Sequence, residues 1–214
     1  LHLPTVAVFS HDTSGTFDTI EIDNDLGLSQ ILSHLADLGH RRIGFVSGTQ
    51  KGFEHPDFAK RRRAFAARCL TEWPGFVTRE LSISNWVDIT RSHMPISRAQ
   101  HAQLEEFLGD LSAVIAANDY VAIWLLNHYY DRMSSKKAGF SIVGFDDLEV
   151  SCFTNPALTT VRVAKEEVGR EAVLMLNKRL ADPNRAVQHK LVSVKLIPRE
   201  STHHASEPQI ASAK

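Results

Sequence analysis

Long hydrophobic runs, paired cysteines and an excess of one charge are all missing from this 214-residue sequence. No apolar stretch approaches the roughly 20 residues needed to cross a bilayer, and Leu1-His2-Leu3-Pro4-Thr5 has neither the basic start nor the apolar centre of a signal peptide. The two cysteines, Cys69 and Cys152, lie far apart in no Cys-x-x-Cys pair, which suggests neither a zinc site nor a disulfide framework and fits a reducing cytoplasm. Lysine and arginine number 24 against 25 acids, so the basic excess typical of a nucleic-acid-binding module is absent. There are 11 histidines, but no His-Glu-x-x-His, no Gly-x-Ser-x-Gly, no phosphate loop and no Gly-x-Gly-x-x-Gly after a strand. The expectation is a non-enzyme with no metal site and no cofactor. An initiator Met is also lacking, and the chain reads as a piece that begins directly at a strand.

What is present is ordinary globular composition, 43% hydrophobic and 23% charged, with a regular alternation of short apolar runs and helical patterns. Val6 to Phe9 predicts a strand, followed by a loop over Asp12–Asp18. Asn24 predicts a helix cap, with Leu26, Ile31, Leu32, Leu35 and Leu38 recurring until Gly39. His40-Arg41-Arg42 then leads into a buried strand from Ile43 to Gly48. A polar loop over Thr49–Phe58 delivers the chain into a helix bearing Arg61, Arg62 and Arg63, which stops at Trp73-Pro74-Gly75. Strands are predicted at Leu81–Ile83 and Ala113–Ala117, and helices at Ala99–Leu108 and from Tyr120 to about Met133.

The stretch from Phe140 to Val161 organises the rest. Its apolar run ends on Asp146 and Asp147, and Asn155-Pro156 launches a second extended segment. A helix from about Lys165 to Leu180 should bury Val168, Ala172, Val173, Leu176 and Leu180. Leu191–Ile197 alternates like one half-exposed strand, and beyond Ser201 the chain reads as a frayed tail. This alternation predicts an α/β fold, a doubly wound parallel sheet.

In such sheets ligands bind beyond the carboxyl ends of the strands. Asp146, Asn118 and Trp86 all sit at such ends, a set that suits a sugar-like molecule: amides and carboxylates hold hydroxyls while an aromatic face covers the ring. Each residue has a plainer reading beside it. Asp146 or Asp147 can cap a turn, Asn118 can cap the following helix, and Trp86 can be core or interface. Lys165 reads as a helix-start surface residue, Arg62 and Arg63 as a solvated face.

Six tags carry a family resemblance: Ile22-Asp23-Asn24 with Gly27; His34-Leu35 through Leu38-Gly39-His40-Arg41-Arg42-Ile43-Gly44-Phe45; Asn118-Asp119 with Ala122; Val143-Gly144-Phe145-Asp146-Asp147; Pro156-Ala157-Leu158-Thr159-Thr160-Val161; and Leu196-Ile197-Pro198-Arg199-Glu200-Ser201. Over residues 3–202 the chain resembles the effector-binding core of the LacI/GalR transcription regulators. The resemblance implies a periplasmic-binding-protein-like type I fold with a complete C-terminal lobe and part of the N-terminal lobe. Residues 1–23 would end the N-terminal lobe and cross over, 24–158 form the C-terminal lobe, 159–187 return to the N-terminal lobe, 188–202 supply final strands of the C-terminal lobe, and 203–214 form a flexible tail. It further implies a small sugar-like effector held by Arg61, Asn118 and Asp146 with Trp86 stacking, a homodimer in the cytoplasm with no membrane contact, and operator DNA bound only through a helix-turn-helix headpiece outside this chain. Two departures from the family's pattern stand out: Phe9, where many members end the first strand on an Asp, and Ala64, where a Gly is common. A periplasmic sugar-binding protein of a transport system is the alternative, since it shares the two-lobed fold.

Overall fold

The computed structural model describes residues 3–9, 15–87, 96–134 and 140–205. Two parallel sheets of unequal size share the chain. The smaller contains β1 (Val6–Val8), β2 (Asp18–Ile22) and β9 (His189–Val192), in the order β1-β2-β9 with all pairings parallel. The larger runs β10 (Val194–Ile197), β8 (Thr159–Val163), β7 (Ser141–Asp146), β6 (Ala113–Ala116) and β3 (Arg42–Gln50), and both β4 (Phe53–Glu54) and β5 (Val77–Ser84) pair with β3. Its central pairings are parallel, and only β10 and β4 run antiparallel to their neighbours.

The large sheet is covered on both faces because its strands are apolar on both. Along β3, Ile43 and Phe45 point to one side and Val46 to the other, the two-residue period of a strand. The first side packs against α1 (Asn24–Asp37) and α2 (Pro56–Thr71) through Leu28, Ile31, Leu32 and Phe65. The second packs against α3 (Arg98–Leu108) and α4 (Asp119–Ser134) through Leu104, Leu108, Val121 and Leu125. Helices on both faces of a parallel sheet are the doubly wound arrangement expected from the alternation of elements. The small sheet is covered by α5 (Lys165–Ala181), with Ile20, Val168, Met175 and Val192 in its core. At the far end of that helix Arg179 donates twice to the fully buried carboxylate of Asp18, tying α5 to the start of β2.

The chain passes between the two units three times. Asp23 follows β2 and caps α1, accepting from the Leu26 amide at 2.8 Å. Ala164 links β8 of the large sheet to α5, and Ser193 links β9 of the small sheet to β10 of the large one. The Asp23 amide donates to the Val192 carbonyl at 2.9 Å, so the first and third passes are joined.

Several expectations change. Asn24 is not the cap of α1: Asp23 takes that role, which frees the Asn24 side chain for another. Strand β1 stops at Val8 because Phe9 turns to φ 53°, and most of the Asp12–Asp18 loop lies outside the described residues. The polar loop over Thr49–Phe58 contains a hairpin: Lys51 and Gly52 both have positive φ, the two-residue turn that matches strand twist, and α2 starts directly at Pro56. Leu191–Ile197 is not one strand. It breaks at Ser193 and its halves pair in different sheets, because β9 finds β2 while β10 finds β8.

Two expected domain limits therefore move. Thr159–Val163 is hydrogen-bonded into the large sheet rather than returning to the small unit, and His189–Val192 belongs to the small sheet rather than the large one. On α5, Val173 and Leu180 face outward at 58% and 56% exposure, and Met175 takes the inward place. Residues 203–205, expected within a frayed tail, are docked: Ala205 donates to the Leu38 carbonyl and the His203 carbonyl meets His40. His40, in the lead-in to β3, is fully buried between Ser112, Ser141 and His203, and burial pushes its imidazole down to about 4.

Candidate functional site

A cavity of about 380 Å³ opens beyond the carboxyl ends of β3, β6 and β7, bordered from the small unit by Phe9, Ile22 and Lys165 and from the end of β8 by Val163. Arg61, Trp86, Asn118 and Asp146, the four residues expected from the sequence, all line it. The fold brings them together from three strand ends and one helix.

Arg61 comes from the second turn of α2 and is 3% exposed. Its guanidinium is held on every side: Nε donates to Asn24 Oδ1 at 2.8 Å, one terminal nitrogen to the Ala117 carbonyl at 2.5 Å, and the other to Asp146 Oδ1 at 3.2 Å. The Phe145 ring lies beneath it at 3.6 Å, and such cation–π stacking fixes the plane of the fork. Asn24, released from capping, is thus an orienting group. Its carbonyl accepts from Arg61 while its amide donates to Asp57 Oδ1 at 3.0 Å. The terminal nitrogens of Arg61 carry more N–H groups than these bonds use, so the fork can still donate into the cavity.

Asp146 ends β7 with φ 113°, a left-handed value costly for a residue with a side chain. Asp147 follows at φ 48°. The strained pair aims the two carboxylates apart. Asp146 keeps 29% of its side chain exposed at the cavity, while Asp147 is clamped between Arg162 and Arg199, each at 2.6 Å. Asp147 is therefore a structural anchor and not merely a turn residue. Burial raises the Asp146 pKa, and the adjacent Arg61 charge opposes that rise, with Lys165 adding a weaker pull. For Asp147 the two arginines overcome the burial penalty and hold its carboxyl below the usual range.

Asn118 does both things its two readings offered. Its Oδ1 accepts from the Val121 amide at 3.0 Å, the geometry of a helix cap, and its amide nitrogen has no partner among the described residues. Directly behind it, Asp119 is fully buried and accepts from Ser151 Oγ at 2.6 Å, Thr160 Oγ1 at 2.5 Å and the Leu148 amide at 2.8 Å. Burial pushes this carboxyl up to about 6 despite those donors. Gly144 makes the packing feasible, since a Cβ there would lie 2.2 Å from Asp119 Oδ1.

Trp86 packs closely on β3: a Cβ on Gly48 would meet its side chain at 2.4 Å. Its ring is 5.2 Å from Phe58 and tilted 54° to it, and Phe58 is 5.6 Å from His55 and tilted 52°, so Phe58 touches both other rings. His55 also caps α2, its ring nitrogen accepting from the Asp57 amide at 3.3 Å.

The sequence alone pointed to the polar members of this site and to Trp86, and missed Phe58 and His55. Phe58 and His55 had been part of a loop of uncertain shape. The signal was Pro56, a favoured first residue of a helix, which sets Phe58 and Arg61 three apart on one helical face. Lys165 lines the cavity as well, and its charge acts on Asp146. Among those residues no group of three or more metal-ligating side chains is placed to hold an ion, and no helix is long and apolar enough to cross a membrane.

Residues 32–202 match the model of the periplasmic binding protein-like domain. The chain is 27% identical over 189 residues to the HTH-type transcriptional repressor CytR of Escherichia coli (strain K12), covering 86% of this chain and 51% of that protein. It thus spans about half the length of the curated relative it matches. Its fold is similar to that of a LacI family transcriptional regulator from Enterococcus faecium with bound ribose, with TM-score 0.73, 21% identity, and 95% and 72% of the two chains covered. A similar likeness holds to the lac repressor dimer bound to operator and the anti-inducer ONPF, with TM-score 0.73, 19% identity, and 94% and 65% covered.

Proposed function

This chain belongs to the periplasmic binding protein-like domain family in its LacI/GalR form, and from that premise we propose that it is the effector-sensing part of a transcription repressor. In this reading a small sugar-like molecule enters the cavity between the two units. Asp146 accepts from its hydroxyls, Arg61 and Asn118 donate to its oxygens, and Trp86 covers an apolar face. The observation that carries the proposal is the convergence of Arg61, Asn118 and Asp146 on one cavity with hydrogen-bonding capacity left over. A purely structural cluster would consume it.

Ligand would act by favouring one relative arrangement of the two units, since an effector shifts an equilibrium only through its differential affinity for the two states. The three passes at Asp23, Ala164 and Ser193 are where such a change would be absorbed. DNA binding would reside in a helix-turn-helix segment outside these residues, and the protein would work in the cytoplasm. The repressor relatives favour this over a periplasmic transport protein. Self-association has its own support. Tyr120, Val150 and Phe153 are 41%, 46% and 83% exposed, and the bond from Ser151 to Asp119 joins the two segments that carry them. A homodimer burying this patch fits the reading.

The test is to titrate the full-length gene product with sugars, sugar phosphates and purines while following its melting temperature. A ligand at a hundred times its dissociation constant adds about 2.7 kcal/mol. Asp146→Ala should abolish the response; an unchanged response would remove Asp146 from the site.

A further inference from the structure

The first pass between the units has a hollow on each side of it. On one side is the effector cavity, where Val163 and Lys165 flank the second pass. On the other is a groove of about 390 Å³, lined by Glu21, Ile22 and Leu191 from the small unit and by Asp25, Lys60 and Arg63 from α1 and α2. Ile22 is the one described residue that lines both. Successive residues of a strand face opposite ways, so Glu21 serves the groove while Ile22 reaches the cavity. Successive residues of a helix are turned well away from each other, so Lys60 lines the groove while Arg61, its neighbour on α2, lines the cavity.

Across the groove Lys60 Nζ donates to Glu21 Oε2 at 2.5 Å, with the two side chains 31% and 28% exposed. This ion pair ties α2 of the large unit to β2 of the small one. A second ion pair at the groove, Arg68 Nε to Asp25 at 3.0 Å, stays within the large unit and is indifferent to how the units sit. The Asp23 amide bonded to the Val192 carbonyl joins the first and third passes into one hinge between cavity and groove. A turn about that hinge that narrows the cavity widens the groove, and it draws Glu21 away from Lys60. Building on the effector reading above, we propose that Lys60 and Glu21 form a latch that holds the cavity open and is released as the units close on the effector. An interaction made in only one of two arrangements sets the balance between them, so the latch lowers effector affinity. At this exposure the pair is worth a factor of about two to five in that balance.

The experiment measures effector affinity by calorimetry on the full-length gene product, with D-ribose, D-galactose, glucose 6-phosphate and adenosine as probes. Glu21→Gln and Lys60→Gln should each tighten binding of the responding probe by about two- to fivefold, and the double variant should gain no more than either alone. Raising potassium chloride from about 0.1 M to about 1 M, which shortens the screening length from about 10 to about 3 Å, should shrink the gain. Asp25→Asn, which breaks the ion pair inside the large unit, should leave affinity unchanged. Single variants that bind as the parent does, or more weakly, would overturn the latch while leaving the effector reading intact. So would opposite changes in the two single variants, the mark of a bare charge acting on the cavity from a distance, or gains that add in the double variant. An equal gain from Asp25→Asn would also overturn it, as general loosening. Binding of none of the four probes would overturn the effector reading and the latch with it.

Discussion

The two ends of the large sheet both carry buried polar groups, and they use them in opposite ways. At the amino ends of β3, β6 and β7, His40 is fully enclosed, and its two ring nitrogens meet Ser112, Ser141 and the His203 carbonyl. Nothing there is left to offer, and the cluster serves to seal the last residues of the chain onto the sheet. At the carboxyl ends, Arg61, Asn118 and Asp146 are as carefully positioned yet retain donors and an acceptor facing a cavity. Burial alone therefore does not distinguish a site from a structural network. The useful distinction is whether hydrogen-bonding capacity has been consumed, since buried polar groups are normally paired and an unspent one costs stability unless something binds it.

The largest break in this comparison should come from Arg61→Ala. It would leave Asp146 without its counter-charge and Asn24 without its donor, costing roughly 3 kcal/mol in chemical denaturation, and it should also abolish the ligand response. A variant at the closed end, His40→Asn, should lower stability while leaving the ligand-induced shift in melting temperature in place. Loss of that shift would erase the contrast between the two ends.

Acidification gives the next effect. His40 is held neutral, with its folded-state value lowered from 6.5 to about 4. Its stabilisation is complete above pH 6.5 and is lost as pH falls toward 4, an effect of roughly 3 kcal/mol at about 1.4 kcal/mol per unit. The difference in stability between the parent protein and His40→Asn, measured from pH 4 to 7, should show this slope.

Asp119, behind the open end, has the opposite sign. With its carboxyl raised from 3.8 to about 6, the folded state binds the extra proton in that window, so this contribution weakens as pH rises from about 4 to 6. Asp119→Asn should remove the decline, an effect of about 3 kcal/mol. The two ends thus offset each other in the unmodified chain, and a difference profile with the wrong sign in either variant would contradict the assignment.

The smallest predicted effect is Gly48→Ala. The new methyl would collide with Trp86 at 2.4 Å and push the indole off β3, costing about 1 to 2 kcal/mol, with a change in tryptophan emission. An unaltered spectrum would mean that Trp86 is not seated there.

Much of the fold was legible because it depends on local pattern. Short apolar runs such as Ala113–Ala116 and Ser141–Asp146 are buried on both faces, and the periodic leucines of α1 match one packed stripe. The errors occurred where partners at a distance decide. Leu191–Ile197 alternates like a single strand, but β2 and β8 compete for its two halves and break it at Ser193. Val173 and Leu180 carry a helical apolar pattern, yet the helix turns Val168 and Met175 to the small sheet and leaves those two outward. In the site, Asp146 and Asn118 were readable from their places after apolar runs. Phe58 and His55 were not, because the hairpin turn at Lys51-Gly52 decides where the loop ends and α2 begins.

By itself, then, the sequence determined the element types, the doubly wound class and the strand ends at which polar groups gather, since periodicity and turn chemistry act over a few residues. Tertiary structure alone decided what those groups do. Asn24 changed from cap to orienting group for Arg61, Asp147 became an anchor between two arginines, and His40, read only as part of the lead-in to β3, became a buried neutral ring. The physical reason is common to all three: a side chain's role depends on which distant donor, acceptor or charge reaches it, and on whether water can still reach it too.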